Sequence, residues 1–120
     1  MSEVTYLTNP EKKITNMNNG ALRNLSADRT QSLFDHTDGR LKGRKVYLKL
    51  AILAVLKYDG AGYPLSASQI RTIGQKYLPR NSGFSNQVVG SILGMLSRMK
   101  LINRSYDRPH TYWWRDKSEI

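Results

Sequence analysis

Asn86 and Gln87 stand side by side ahead of an apolar-periodic stretch, and each carries a carboxamide that donates and accepts hydrogen bonds at once. Basic side chains bracket them, with Arg71, Lys76 and Arg80 before and Arg98, Arg104 and Arg108 after. Such groups grip and orient on a polyanion; bond-making machinery is thin by comparison. His36 and His110 have no carboxylate constellation and no partner histidine at ligand spacing, while Asp59 and Asp107 fall in turns where aspartate is expected anyway. Gly60-Ala61-Gly62 lacks the lysine and helix context of a phosphate-cradling loop. Cysteine is absent, which excludes disulfides, a thiolate nucleophile and a thiolate zinc site. The chain therefore reads as a non-enzyme, with no catalytic residue, no metal and no cofactor expected.

The 120 residues carry 19 Lys and Arg against 9 Asp and Glu, a net charge of +10. From Arg44 onward the count is thirteen against four, so nine of the ten units lie in the C-terminal part. A solubilising charge would be spread along the chain. Segregation favours a polyanionic partner, because clustered cations displace the counterions condensed on nucleic acid. The length suits one domain with one core. The longest uninterrupted apolar run, Leu50 to Leu56, is well short of a membrane span, and Met1-Ser2-Glu3-Val4 lacks the order of a secretory signal. A soluble intracellular protein, in the cytoplasm or beside the genome and without a membrane partner, is the expectation.

Positioning the amides and cations falls to three helices and a hairpin. Residues 1–44 scatter single apolar residues among Asn, Thr, Ser and Asp, too few on any face to offset ordering entropy, and are expected to form a disordered arm. Within it, Ala27 to Phe34 has a weak helical periodicity through which Leu33 and Phe34 could dock. The domain then spans 45–115, and 116–120 is a charged tail that frays. Its first helix, about Lys45 to Tyr58, is apolar enough to lie mostly inside. Two glycines end it, and Tyr63-Pro64-Leu65 is extended, with room for a one- or two-residue strand near Leu65. Ser66-Ala67-Ser68-Gln69 is a capping box that opens a second helix, which stops at Pro79.

The third helix, about Phe84 to Met99, places Phe84, Val88, Ile92, Met95, Leu96 and Met99 on one side. Asn86, Gln87, Gly90, Gly94, Ser97 and Arg98 share the other. Glycine in a helix costs about 1 kcal/mol relative to alanine, so Gly90 and Gly94 imply either close approach by another molecule or helix-to-helix packing. Leu101 to Tyr106 and Thr111 to Arg115 have the composition of strands and flank Asp107-Arg108-Pro109-His110, which makes a β-hairpin. Trp113 and Trp114 point to opposite sides of it; one closes the core, and the other is left for the arm or for a homodimer contact.

Helix, brief strand, capped helix, turn, longer helix and hairpin, with Tyr63-Pro64-Leu65-Ser66-Ala67-Ser68-Gln69-Ile70 leading into the second helix and Leu96-Ser97-Arg98-Met99-Lys100-Leu101-Ile102 leaving the third, resembles the winged helix-turn-helix DNA-binding family over residues 45–115. The resemblance implies an α+β fold of three helices with a C-terminal β-hairpin wing, and double-stranded DNA as partner in transcriptional regulation. It makes the third helix the recognition helix. Gln87 then reads a base edge, with Asn86 second, Ser91 and Arg98 also among the base readers, and Gly90 leaving room for the DNA.

Arg71, Lys76, Arg80 and Ser85 would hold the DNA backbone. Arg104, Arg108 and His110 belong to the wing, with Arg108 at its tip placed to enter a minor groove. Plainer roles stand beside these: a helix-start preference for Asn86, a solvated turn for Arg108, and a solvated helix edge for Lys45, Lys49 and Lys57. A winged-helix protein-interaction module and an RNA or single-strand binder are the alternatives, and the +9 charge from Arg44 onward argues against the first.

Overall fold

Every residue from Leu50 to Leu56 is fully buried, so the helix that carries them has to be covered on all sides. It is one of four α-helices in a computed structural model that describes residues 22–41 and 43–119. In chain order these are α1 (Ala27–His36), α2 (Val46–Ala54), α3 (Ala67–Gly74) and α4 (Asn86–Arg98). Three short strands, β1 (Leu65–Ser66), β2 (Ile102–Arg104) and β3 (Thr111–Trp114), form an antiparallel sheet in the order β1-β3-β2. Leu65 lies opposite Tyr112, and Asn103 opposite Trp113. The class is α+β, as expected, but with a fourth helix ahead of the anticipated three. Among the described residues no helix is long and apolar enough to cross a membrane.

The local rules hold well in the middle of the chain. Lys45 takes a left-handed φ of 59°, and the α-helix starts after it. The last turn of the expected Lys45-to-Tyr58 helix, Val55–Asp59, winds as a π-helix in which the Gly60 amide donates to the Val55 carbonyl at 2.7 Å. Gly60 is buried, and a Cβ there would lie 3.0 Å from Leu65 Cδ1, so glycine lets β1 close on this turn. The capping box forms: Ser66 Oγ accepts from the Gln69 amide at 3.2 Å, and Gln69 Oε1 accepts from the Ser66 amide at 2.9 Å. After α3 a single 3-10 turn, Gln75–Tyr77, leads to Pro79.

Residues 22–41 correct the expectation of a disordered arm and of a three-helix fold; residues 1–21 lie outside the described residues. Ser26 caps α1 by accepting from the Arg29 amide, and Leu22, Leu25, Leu33 and Leu41 are all buried. The inward face of α1 also carries Thr30, His36 and Thr37, three polar residues with almost no exposure. Each has a hydrogen-bond acceptor: Thr30 donates to the Ser26 carbonyl at 3.0 Å, Thr37 to the Phe34 carbonyl at 2.7 Å, and His36 Nε2 to the Leu101 carbonyl at 2.9 Å. With both hydroxyls and the Nε2 of the imidazole satisfied, burying them carries a reduced penalty.

The tail is likewise tied down over Lys117–Glu119, where Lys117 Nζ donates to the Asp35 carbonyl at 3.0 Å and to Asp38 at 2.6 Å. Lys57 also departs from the solvated edge expected of it, donating to Ser32 Oγ at 3.0 Å and lying 5.2 Å from the Trp114 ring centre.

Burial holds the His36 imidazole below its usual pKa, against the raising effect of the Leu101 carbonyl, and Lys117 and Lys57 push it further down. The unfolded chain takes up this proton below about pH 6.5 while the folded state resists it. The His36 contribution is therefore complete above that pH and is lost as pH falls through the lowered value. Thermal melts followed by circular dichroism from pH 7.5 to 5 should show a falling midpoint, and His36→Gln should flatten that slope.

Candidate nucleic-acid interface

α4 presents the amides because its sequence anchors the opposite side. Val89, Leu93 and Leu96 are fully buried, and Val88, Ile92, Met95 and Met99 pack half-buried beside them. The buried stripe is thus turned from the expected one, which had omitted Val89 and Leu93. Of the expected outward face, Asn86, Gln87 and Arg98 are exposed with Gly90 and Gly94 between them, whereas Ser97 is half-buried and donates its hydroxyl to the Leu93 carbonyl at 2.7 Å; Ser91 is exposed beside them. Phe84 is not helical but sits buried just ahead of the cap. Ser85 is the N-cap, accepting from the Val88 amide at 3.2 Å. Capping therefore belongs to Ser85, and Asn86, the first helical residue, is not needed for it.

The two glycines of α4 do not serve helix packing. A Cβ on Gly90 would meet nothing within 4 Å, and one on Gly94 would meet Arg98 Nη1 of the same helix at 3.3 Å. Gly74 in α3 is the contrasting case, since its Cβ would lie 2.8 Å from Cε2 of the buried Phe84 ring. That glycine sets the close approach of α3 to the start of α4.

Around the start of α4 the basic residues divide by what they already hold. Arg71 Nε donates to the Phe84 carbonyl at 3.2 Å, clasping α3 to the chain entering α4. Lys76 forms an ion pair with Asp59, which also accepts from the Tyr77 hydroxyl at 2.6 Å, so Lys76 is tied to the end of the π turn. Burial and the Asp59 carboxylate push the Tyr77 hydroxyl pKa up. Arg80 is exposed on the turn. Arg71, Gln75, Arg80, Asn81 and Ser82 share a cleft of about 390 Å³ there, beside the start of α4.

The hairpin is closed by Ser105, whose amide donates to the Thr111 carbonyl at 2.9 Å and whose hydroxyl accepts from the Thr111 amide at 2.8 Å. His110 Nδ1 bonds the Ser105 carbonyl at 3.0 Å and stands edge-on to Tyr112, so it shapes the turn. Arg108 and Tyr106 project from the loop, Tyr106 with 97 % of its surface exposed. Trp114 packs on the core and on His36, with ring centres 4.1 Å apart, while Trp113 stays half-buried on the opposite face of the strand. The arm was anticipated as a partner of the tryptophan that does not close the core; here the core-packed Trp114 is the one that touches it, through His36.

Arg98 and Asn86 are twelve residues apart on one helix, roughly 18 Å at 1.5 Å per residue. Arg98 accordingly joins a different group, sharing a second groove with Lys100, Arg104 and Arg115. Lys100 and Arg115 escaped the sequence reading because neither falls on the helix face or the hairpin loop. Their signal was only that basic residues recur where the helix ends and the last strand ends. Comparison of the chain with protein families, with curated proteins and with solved structures returns no match.

Because a side chain at 90 faces open space, Gly90→Ala is expected to raise stability by about 0.5–1 kcal/mol. Gly74→Ala should lower it by about 1–3 kcal/mol through overpacking on Phe84, less the gain in helix propensity. Urea denaturation of the pair checks both signs.

Proposed function

We propose that this protein is a winged helix-turn-helix domain that binds double-stranded DNA with sequence preference, in the service of transcriptional regulation. The observation that carries the reading is the outward side of α4. It combines two adjacent exposed carboxamides, a serine and a glycine with empty space above it, on a helix whose other side is locked in the core. Further support comes from the order of elements: a buried helix, a short strand, two helices joined by a turn, then a hairpin whose last strand pairs with the first.

In this reading α4 enters the major groove by its first turns. The Gln87 amide donates and accepts together, which matches the N6 and N7 positions of adenine, and Asn86 offers the same chemistry one residue earlier. Ser91 lies one turn on, and Gly90 lets the groove wall come close. Arg80 and the free nitrogens of Arg71 meet phosphates on one flank, and Arg108 on the hairpin meets the backbone or the minor groove on the other. Phosphate contacts supply affinity without sequence, and the amides supply discrimination.

Duplex affinity measured against salt concentration, with random-site selection on the same protein, tests the reading. Log affinity should fall against log salt with a slope of about 0.9 per phosphate neutralised. Gln87→Ala should relax the selected sequence, costing about 1–3 kcal/mol on the preferred site and little on random duplex. Arg80→Ala and Arg108→Ala should weaken both alike. A flat salt dependence would overturn duplex binding, and equal losses on both duplexes for Gln87→Ala would remove it as a base reader.

A further inference from the structure

The second groove, between the end of α4 and the hairpin, takes no part in the duplex contacts proposed above, although the resemblance places Arg98 among the base readers and Arg104 on the wing. It encloses about 300 Å³, the scale of one small organic ligand rather than of a double helix. Arg98, Lys100, Arg104 and Arg115 all line it, and among the described residues no carboxylate does. The ion pairs Lys76–Asp59 and Lys117–Asp38 draw on none of these four. Four cations facing one space with no acid among them raise its potential and favour an anion there.

Arg115 is also under-bonded: its Nε is buried and has no hydrogen-bond partner. The buried Nε is out of a ligand's reach, so an anionic oxygen would bond the terminal nitrogens of the guanidinium instead, and such charge-assisted bonds are about twice as strong as neutral ones. Tyr106 lines the same groove with 97 % of its surface exposed, more than any other large hydrophobic side chain among the described residues. An exposed ring beside clustered cations is the pairing that single strands use, with phosphates on the charges and a base face on the ring. In the interior of a duplex each base face is already covered by its neighbour, so away from a helix end a ring at the rim can stack only on a base that is unpaired.

We propose that this groove binds an unpaired nucleotide of a nucleic-acid strand, its phosphates on Arg98, Lys100, Arg104 and Arg115 and its base stacked on Tyr106. The site is separate from Asn86 and Gln87, and it gives Arg98 a phosphate to hold instead of a base to read. A protein with both sites prefers a duplex that carries a single-stranded end.

Three labelled probes, an oligo-dT, a blunt duplex and the same duplex with a dT overhang, are titrated at one salt concentration by fluorescence anisotropy, and the oligo-dT titration is repeated across a salt series. The full chain is compared with Tyr106→Ala, with the double variant Arg98→Gln and Arg104→Gln, and with Gln87→Ala. Tyr106, Arg98 and Arg104 are exposed, so the core is untouched. Tyr106→Ala should weaken oligo-dT about 5- to 150-fold, the range of one base–aromatic stack, and abolish the advantage of the overhang while sparing the blunt duplex. The double variant should lower the salt slope on oligo-dT by about 0.7 for each phosphate it no longer neutralises. Gln87→Ala should leave oligo-dT binding unchanged.

Unchanged oligo-dT binding in Tyr106→Ala, an equal loss on the blunt duplex, or no oligo-dT binding by the full chain would each overturn the proposal. Failure of the duplex reading shows differently: the blunt duplex would go unbound while a Tyr106-dependent oligo-dT complex persisted.

Discussion

A helix that buries apolar residues in every direction around its axis must be surrounded, and α2 with the π turn that follows it imposes that condition on the rest of the molecule. Leu48 and Leu50 through Leu56 leave essentially no surface to water, so every direction around the axis needs an apolar neighbour. α3 and α4 supply two, β3 closes over the π turn, and α1 supplies another. Exposing even two or three of these side chains would forfeit about 1.5–3 kcal/mol each, a large share of the net stability of so small a domain. The fourth helix is therefore part of the core's closure.

That necessity was only partly legible in the sequence. Where the signal is a local bond it reads directly, as at Ser66 and Gln69, whose reciprocal capping needs nothing beyond four residues, or at Pro79, which stops a helix by missing a donor. α1 is different because its buried side mixes Leu33 with Thr30, His36 and Thr37. A hydropathy pattern counts those three as solvent-facing, yet local and long-range carbonyls accept their hydrogen bonds. The turn of the α4 stripe onto Val89 and Leu93 has a related origin: with seven apolar positions available, tertiary packing chooses which of them go deepest. The outward side was legible all the same, since only polar residues and glycines remained for it.

Among the basic residues, net charge said where to look and little about availability. Arg71 and Lys76 lie only five residues apart, but one clasps a carbonyl while the other is neutralised by Asp59. Arg98 and Arg115, distant in sequence, share a groove. Counting cations therefore ranks segments, and only their bonding separates the ones that hold the protein together from those left for a partner. In the functions proposed for it, α4 would have two working ends, carboxamides at its start and guanidinium groups at and beyond its finish.

The bond from His36 to Leu101 spans 65 residues, and those from Lys117 to Asp35 and Asp38 span 82 and 79. The first helix thus waits for the hairpin: on a growing chain, α1 is made early but its seat on Leu101, Trp114 and Lys117 emerges only after a long stretch of further chain. Loop closure over such distances is slow, and apolar surface stays uncovered in the meantime. Biosynthesis consequently passes through a stage in which α2 exists without its full cover, a stage that closes only when the hairpin is complete.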